Sequence, residues 1–114
     1  NNIQVFIHSD SEVERSTSNR IAQYFQHKII GYKQQDKKAN RDFKDEEYIT
    51  VKWISDLLNQ HSFKCKLCST NIELYVNNNG IVQSNLTIDR IDNSKAHTIN
   101  NCQLACLKYN VSKH

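Results

Sequence analysis

Leu86-Thr87-Ile88-Asp89-Arg90-Ile91-Asp92 is the stretch around which the rest of the chain organises. Leu86, Ile88 and Ile91 are set among polar residues in near alternation, the pattern of a strand with one covered face, and it ends in a charged tip. Asn93-Ser94-Lys95-Ala96 then has turn composition. His97 to Leu104 returns as a second strand or loop, and Cys106 to His114 reads as a short helix, so that two strands and a helix follow one another. Working back, Ile72, Leu74 and Val76 alternate as another strand. Asn77-Asn78-Asn79-Gly80 closes it as a turn, with Gly80 at a position that needs positive φ. Thr50 is a good N-cap for an amphipathic helix over Val51 to Gln60, whose stripe is Trp53, Ile54, Leu57 and Leu58. An aromatic stripe of this kind is core rather than ligand site. A longer helix is expected from about Ser11 to Ile30, where Ile21, Tyr24, Phe25, Lys28 and Ile29 recur at helical spacing, with Gly31 as its stop. Ile3 to Ile7 is a short strand or an extended arm.

Composition limits what such a chain can be. At 114 residues, with 38% hydrophobic and 24% charged, it is one domain, or a small domain with an appendage. Its longest apolar runs are far too short to span a bilayer, and a membrane partner is not expected. No secretory signal is visible, which leads to the expectation of an intracellular protein, although the sequence begins at Asn1 without Met and a native amino terminus is expected to have been trimmed. The net charge of +3 permits nucleic-acid binding without requiring it. Lys33, Lys37, Lys38 and Arg41 lie in a mixed-charge segment, Tyr32 to Glu47, that is either a solvated connector or exposed helix, or a basic arm on a phosphate backbone.

The four cysteines, Cys65, Cys68, Cys102 and Cys106, all lie in the second half. A core this small gains from a cross-link, by disulfides or by a metal. Cys65-Lys66-Leu67-Cys68 has the knuckle spacing that brings two thiolates to one ion, while Cys102 and Cys106 are one residue further apart than the usual second pair. The first 64 residues are free of cysteine, unlike a secreted disulfide scaffold, so a tetrahedral Zn²⁺ site is the favoured reading and a disulfide framework the alternative. The sequons at Asn85 and Asn110 are expected by chance in an Asn-rich chain.

The ordered set Cys65-x-x-Cys68, Ile88-Asp89-Arg90-Ile91-Asp92-Asn93-Ser94-Lys95, His97-Thr98-x-x-Asn101, Cys106, Asn110 and Lys113 resembles the HNH, or ββα-metal, nuclease family over about residues 63–114. The resemblance implies an α+β fold: a small zinc-stapled ββα-metal unit over residues 48–114, preceded by an α-helical extension over 1–47. It implies a metal-dependent endonuclease that hydrolyses DNA phosphodiesters, or alternatively a zinc-stapled DNA-binding module without cleavage. Asp89 offers a hard carboxylate to Mg²⁺ or Mn²⁺. Asn110 occupies the family's helix ligand position, and His114, one helical turn on, can complete that cation site. Asn101 matches the Asn whose side chain ties the loop behind the catalytic strand.

Two positions depart from the family. Arg90 stands where the general base is usually His; a guanidinium stays protonated and suits phosphate rather than a proton. His97, across the turn, is then either the substitute base or a packing residue where relatives carry Tyr. Tyr109 stands where many relatives have the fourth zinc Cys, so Cys102, one helical turn before Cys106, is the expected replacement. Lys95, Lys108 and Lys113 join the basic residues above as candidate phosphate contacts.

Overall fold

The computed structural model describes residues 12–65 and 68–107. They form an α+β fold of two helices and two small antiparallel sheets: α1 (Glu12–Lys38), a single 3-10 turn (Asp45–Glu47), α2 (Val51–Gln60), β1 (Leu74–Val76), β2 (Val82–Ser84), β3 (Leu86–Arg90) and β4 (Cys102–Cys106). The expected strand over Ile3 to Ile7 and, beyond Leu107, the expected helix Cys106 to His114 fall outside the described residues, while Cys106 itself is the last residue of β4, two residues past the expected end of that strand.

Helix α1 runs through Gly31, which the sequence marked as its stop. A glycine ends a helix by taking positive φ just beyond it, and that task falls here to Asn40, at φ 58°. The amide of Asn40 donates to the Lys37 carbonyl and that of Arg41 to the Asp36 carbonyl, the paired bonds of a Schellman cap. Residues 32–38 are therefore helix, continuous with the rest of α1. Gly31 has open space where a Cβ would stand, so Gly31→Ala is expected to stabilise the fold by about 0.5–1 kcal/mol, read as a raised midpoint in urea.

The extra two turns carry the covered stripe onward. Ile21 and Phe25 are fully buried, Tyr24, Ile29 and Tyr32 pack against the core, and Asp36 continues the same stripe at 0% exposure. The rest of the core comes from Tyr48, Ile49, Ile54, Leu58, Ile72, Leu74, Leu86, Ile88 and Leu104. Residues on both sides of position 47 thus share one hydrophobic core.

Helix α2 starts as its N-cap dictates: the Trp53 amide donates to Thr50 Oγ1 at 3.1 Å. Ile54, Ser55 and Leu58 are its buried residues, and Trp53 and Leu57 flank them half-buried. It ends in a second Schellman cap, with Ser62 at φ 52° and the Phe63 amide on the Leu58 carbonyl at 2.8 Å. This cap reverses the chain into the cysteine knuckle.

Strands β1 and β2 pair Leu74 with Ser84 and Val76 with Val82 around the expected turn, with Gly80 at φ 77°. Arg20 of α1 donates to the Gly80 carbonyl and ties that turn down. Strands β3 and β4 pair Leu86 with Cys106 and Arg90 with Cys102. The hairpin therefore has a loop end, with Arg90, Cys102 and residues 91–101, and an open end, with Leu86 and Cys106.

Candidate metal centre and the loop end of the hairpin

Three of the four cysteines meet at the open end. In the knuckle, the Cys65 amide donates to the Thr70 carbonyl at 2.7 Å and the Ser69 amide to the Cys65 carbonyl at 2.9 Å. Ser69 takes φ 61°, and this tight turn turns Cys65 and Cys68 to the same side. Cys106, last residue of β4, arrives opposite: its sulfur is 3.3 Å from that of Cys68, and its amide donates to Cys65 Sγ at 3.3 Å. The sulfurs of Cys65, Cys68 and Cys106 all lie within 4.8 Å of one another. Thiolates on a tetrahedral Zn²⁺, at about 2.3 Å from the ion, stand about 3.8 Å apart. Three soft donors at this spacing can hold a metal ion such as zinc. The hydroxyl and backbone of Thr70, together with Cys106, pull the exposed Cys68 thiol down to about 7, toward the thiolate that binds metal.

Cys102 is not in this cluster. The spacing suggested one helical turn between it and Cys106, but both lie on strand β4, where four residues span about 13 Å. Burial, with the charge of Asp36 second, pushes its thiol up to about 12, so it remains protonated in the core. All four thiols are unbridged.

The loop end holds the residues singled out for catalysis. Asp89 is buried at 5% exposure, and Gln103, its partner across the hairpin, donates to its Oδ2 at 3.0 Å. Gln103 is three residues from Cys106, about 10 Å along a strand, so Asp89 lies well apart from the thiols. Asn101 is buried and makes three bonds across the loop: it accepts from the Asp92 amide at 2.9 Å and donates to the carbonyls of Asp92 and Ala96, each at 3.0 Å. These fix residues 92–96 against the start of β4. Arg90 turns inward on the same loop, its Nη1 donating to the Asn93 and Lys95 carbonyls. That guanidinium edge is occupied within the protein rather than presented to a phosphate. Asp92 caps the turn through Ser94, whose amide and hydroxyl donate to Oδ1 and hold its carboxyl below the usual range.

His97 is buried, and its surroundings come from far along the chain. Its backbone amide and Nδ1 both meet Asp36 Oδ2, at 3.0 and 2.9 Å, across 61 residues of sequence. Tyr48 donates to the same oxygen at 2.6 Å, and Arg41 donates to Oδ1 at 2.9 Å. The His97 ring stacks on Tyr32 of α1, centroids 4.3 Å apart and planes 15° apart. Burial raises the Asp36 carboxyl, but donation from Tyr48, from the amide and ring of His97 and from Arg41 outweighs it and brings the pKa to about 2. Burial holds the His97 ring below its usual pKa despite the neighbouring carboxylate.

Sequence reasoning did not single out Asp36. The signal was a carboxylate one turn beyond Tyr32 on the extended stripe of α1, hidden by ending the helix at Gly31. The same cluster engages Arg41, expected as a phosphate contact, in an ion pair with Asp36. Lys33 sits 3.8 Å from Asp45 and over the Tyr48 ring at 5.1 Å. Lys37 and Arg41 line an open recess of about 420 Å³ together with Asp42 and Asp45, so its charge is mixed. Lys37, Lys38 and Lys95 are exposed. Lys108, Tyr109, Asn110, Lys113 and His114 lie outside the described residues. The sequon residue Asn85 uses its side chain internally, on the Glu73 amide and the Asn71 carbonyl.

No helix among the described residues is long and apolar enough to cross a membrane. Set against protein-family models, curated proteins and solved structures, the chain finds no match in any of the three.

Proposed function

We propose that the chain is a metal-dependent endonuclease of the HNH, or ββα-metal, type that hydrolyses DNA phosphodiesters. One observation carries the reading: a buried carboxylate, Asp89, near the loop end of an antiparallel hairpin whose loop is tied by Asn101 and whose other end meets a three-cysteine cluster. A hard oxygen donor at one end and soft sulfur donors at the other suit two different ions, Mg²⁺ or Mn²⁺ for catalysis and Zn²⁺ for structure. When bound, the hard cation would stabilise negative charge on the scissile phosphate and leaving oxygen. Asp89 holds its place through Gln103, Asn101 keeps the loop from collapsing onto it, and His97 is the proton acceptor for water. Asn110 and His114 complete the cation's protein ligands in this reading. Exposed Lys37, Lys38 and Lys95, with Lys108 and Lys113, hold the DNA backbone through charge, so binding weakens steeply with salt.

Plasmid nicking in Mg²⁺ or Mn²⁺ tests this. Asp89→Ala is expected to lower the rate by about a hundredfold or more while leaving the far-UV circular dichroism unchanged. Equal rates for wild type and variant would refute the assignment. A zinc-stapled DNA-binding module without cleavage is the second reading, favoured by Arg90, which stands in the place of the usual base and is engaged with its own loop. Salt-sensitive DNA binding with no nicking under either cation would establish it.

A further inference from the structure

Asp36 lies 61 residues from His97 in sequence, and among the described residues its hydrogen bonds to the segment that carries the nuclease resemblance are those to that histidine's ring and amide. Its carboxylate has no exposed surface, yet four donors converge on it: Tyr48, Arg41, and the His97 amide and ring. Docking α1 against the loop would need only the bonds from Tyr48 and from the His97 amide. The bond from the ring does something further.

An ionised carboxylate accepts and cannot donate. Facing one, Nδ1 of a neutral imidazole must carry the ring proton, which leaves the lone pair on Nε2. Nε2 takes no hydrogen bond from the described residues, and the side chain keeps about 5% of its surface exposed. Stacking on Tyr32 fixes the plane of the imidazole, and the Tyr32 hydroxyl faces the Ile88 backbone, one residue from Asp89. The ring is thus clamped in tautomer by one residue of α1 and in orientation by another, beside the strand that carries Asp89. The charged and titratable groups around this pair are Arg41, Arg90, Tyr32, Tyr48 and Cys102. None of them accepts from Nδ1 in place of Asp36.

We infer that Asp36 is a positioning residue for His97: its buried carboxylate holds the imidazole as the Nδ1–H tautomer, with Nε2 as the free base. This rests on the endonuclease reading for its catalytic consequence, but not for the tautomer. It would make the amino-terminal helix part of the catalytic machinery.

The experiment is a long-range ¹H–¹⁵N spectrum of the full chain, with the His97 ring assigned by loss of its signals in His97→Gln, alongside plasmid nicking. In the wild type Nδ1 is expected at the shift of a protonated ring nitrogen and Nε2 at that of an unprotonated one. Asp36→Asn replaces the carboxylate by a weaker, neutral acceptor and is expected to let the opposite tautomer appear beside the Nδ1–H form and to lower kcat by about tenfold, with KM for DNA within about twofold. Tyr48→Phe removes another donor to the same oxygen and is expected to keep both tautomer and kcat. A wild-type ring protonated on Nε2 would overturn the inference whether or not any variant folds, as would a folded Asp36→Asn with unchanged kcat. An inactive wild type with the Nδ1–H ring would instead refute the endonuclease reading and leave the clamp standing.

Discussion

Elemental analysis of the purified protein is expected to find one zinc ion per chain, retained in Cys102→Ala and lost in Cys65→Ser and Cys106→Ser. Cys65 and Cys106 are buried donors whose sulfurs, with that of Cys68, already stand at a separation a tetrahedral ion can bridge. Cys102 sits at the far end of β4 with a protonated thiol and contributes nothing to that ion. Such an ion would join the knuckle after α2 to the end of β4. Metal binding that forms with the fold counts fully toward stability; in zinc peptides with no other core it reaches about 10–16 kcal/mol. Here a hydrophobic core exists independently, so a loss of several kcal/mol is expected on chelation, seen as a large fall in the thermal midpoint. A fourth ligand, if the ion is tetrahedral, would be water or a group outside the described residues. Stoichiometric zinc in Cys106→Ser, or loss of zinc in Cys102→Ala, would contradict this assignment.

Asp36→Ala is expected to be the most damaging single change that leaves the cysteines intact, costing about 3–5 kcal/mol in urea unfolding. It removes a buried carboxylate and strands three partners at once: the Arg41 charge, the Tyr48 hydroxyl and the His97 ring. Domains of ordinary stability have about 5–15 kcal/mol in total, so the variant should be close to unfolding at physiological temperature. Acid should act on the same cluster. The Asp36 carboxyl sits near 2 in the folded state against 3.8 unfolded, so its contribution is complete above about pH 4 and is lost as the pH falls toward 2. That span corresponds to about 2 kcal/mol. The His97 ring is held below 6.5 when folded, so the unfolded chain binds its proton first, and stability begins to decline as the pH drops below that value. Urea midpoints measured from pH 7 to pH 2 should fall in these two stages. A single late transition confined to the lowest pH would count against a neutral His97.

What was readable in the sequence is local. The N-cap of α2 needs only Thr50 and the amide three residues on, and β1 and the turn after it are set by alternation and a glycine, whereas β2 carries no such pattern. The hairpin of β3 and β4 follows from the apolar pattern that begins at Leu86. Asn101, Asp89 and three of the cysteines could be picked out because each lies within a short motif whose spacing has a chemical reason. The end of α1 was misread because Gly31 and Asn40 are both competent helix stops, and nearest-neighbour composition does not rank them. The decision belongs to packing: two more turns place Tyr32 against His97 and Asp36 beneath Tyr48. Cys102 was misplaced for a related reason, since a separation of four residues means one side of a helix but about 13 Å of a strand.

The sequence by itself determined the second helix, strand β1 with its turn, the β3–β4 hairpin, the knuckle and the residue types that can bind metal, because these depend on contacts among residues close in the chain. Tertiary structure alone decided which cysteines meet, how far the first helix runs, and that a carboxylate on it reaches a histidine 61 residues away. Those outcomes depend on which surfaces bury one another, and a buried charge is tolerated only where distant donors converge on it. No spacing rule records that convergence before the chain has folded.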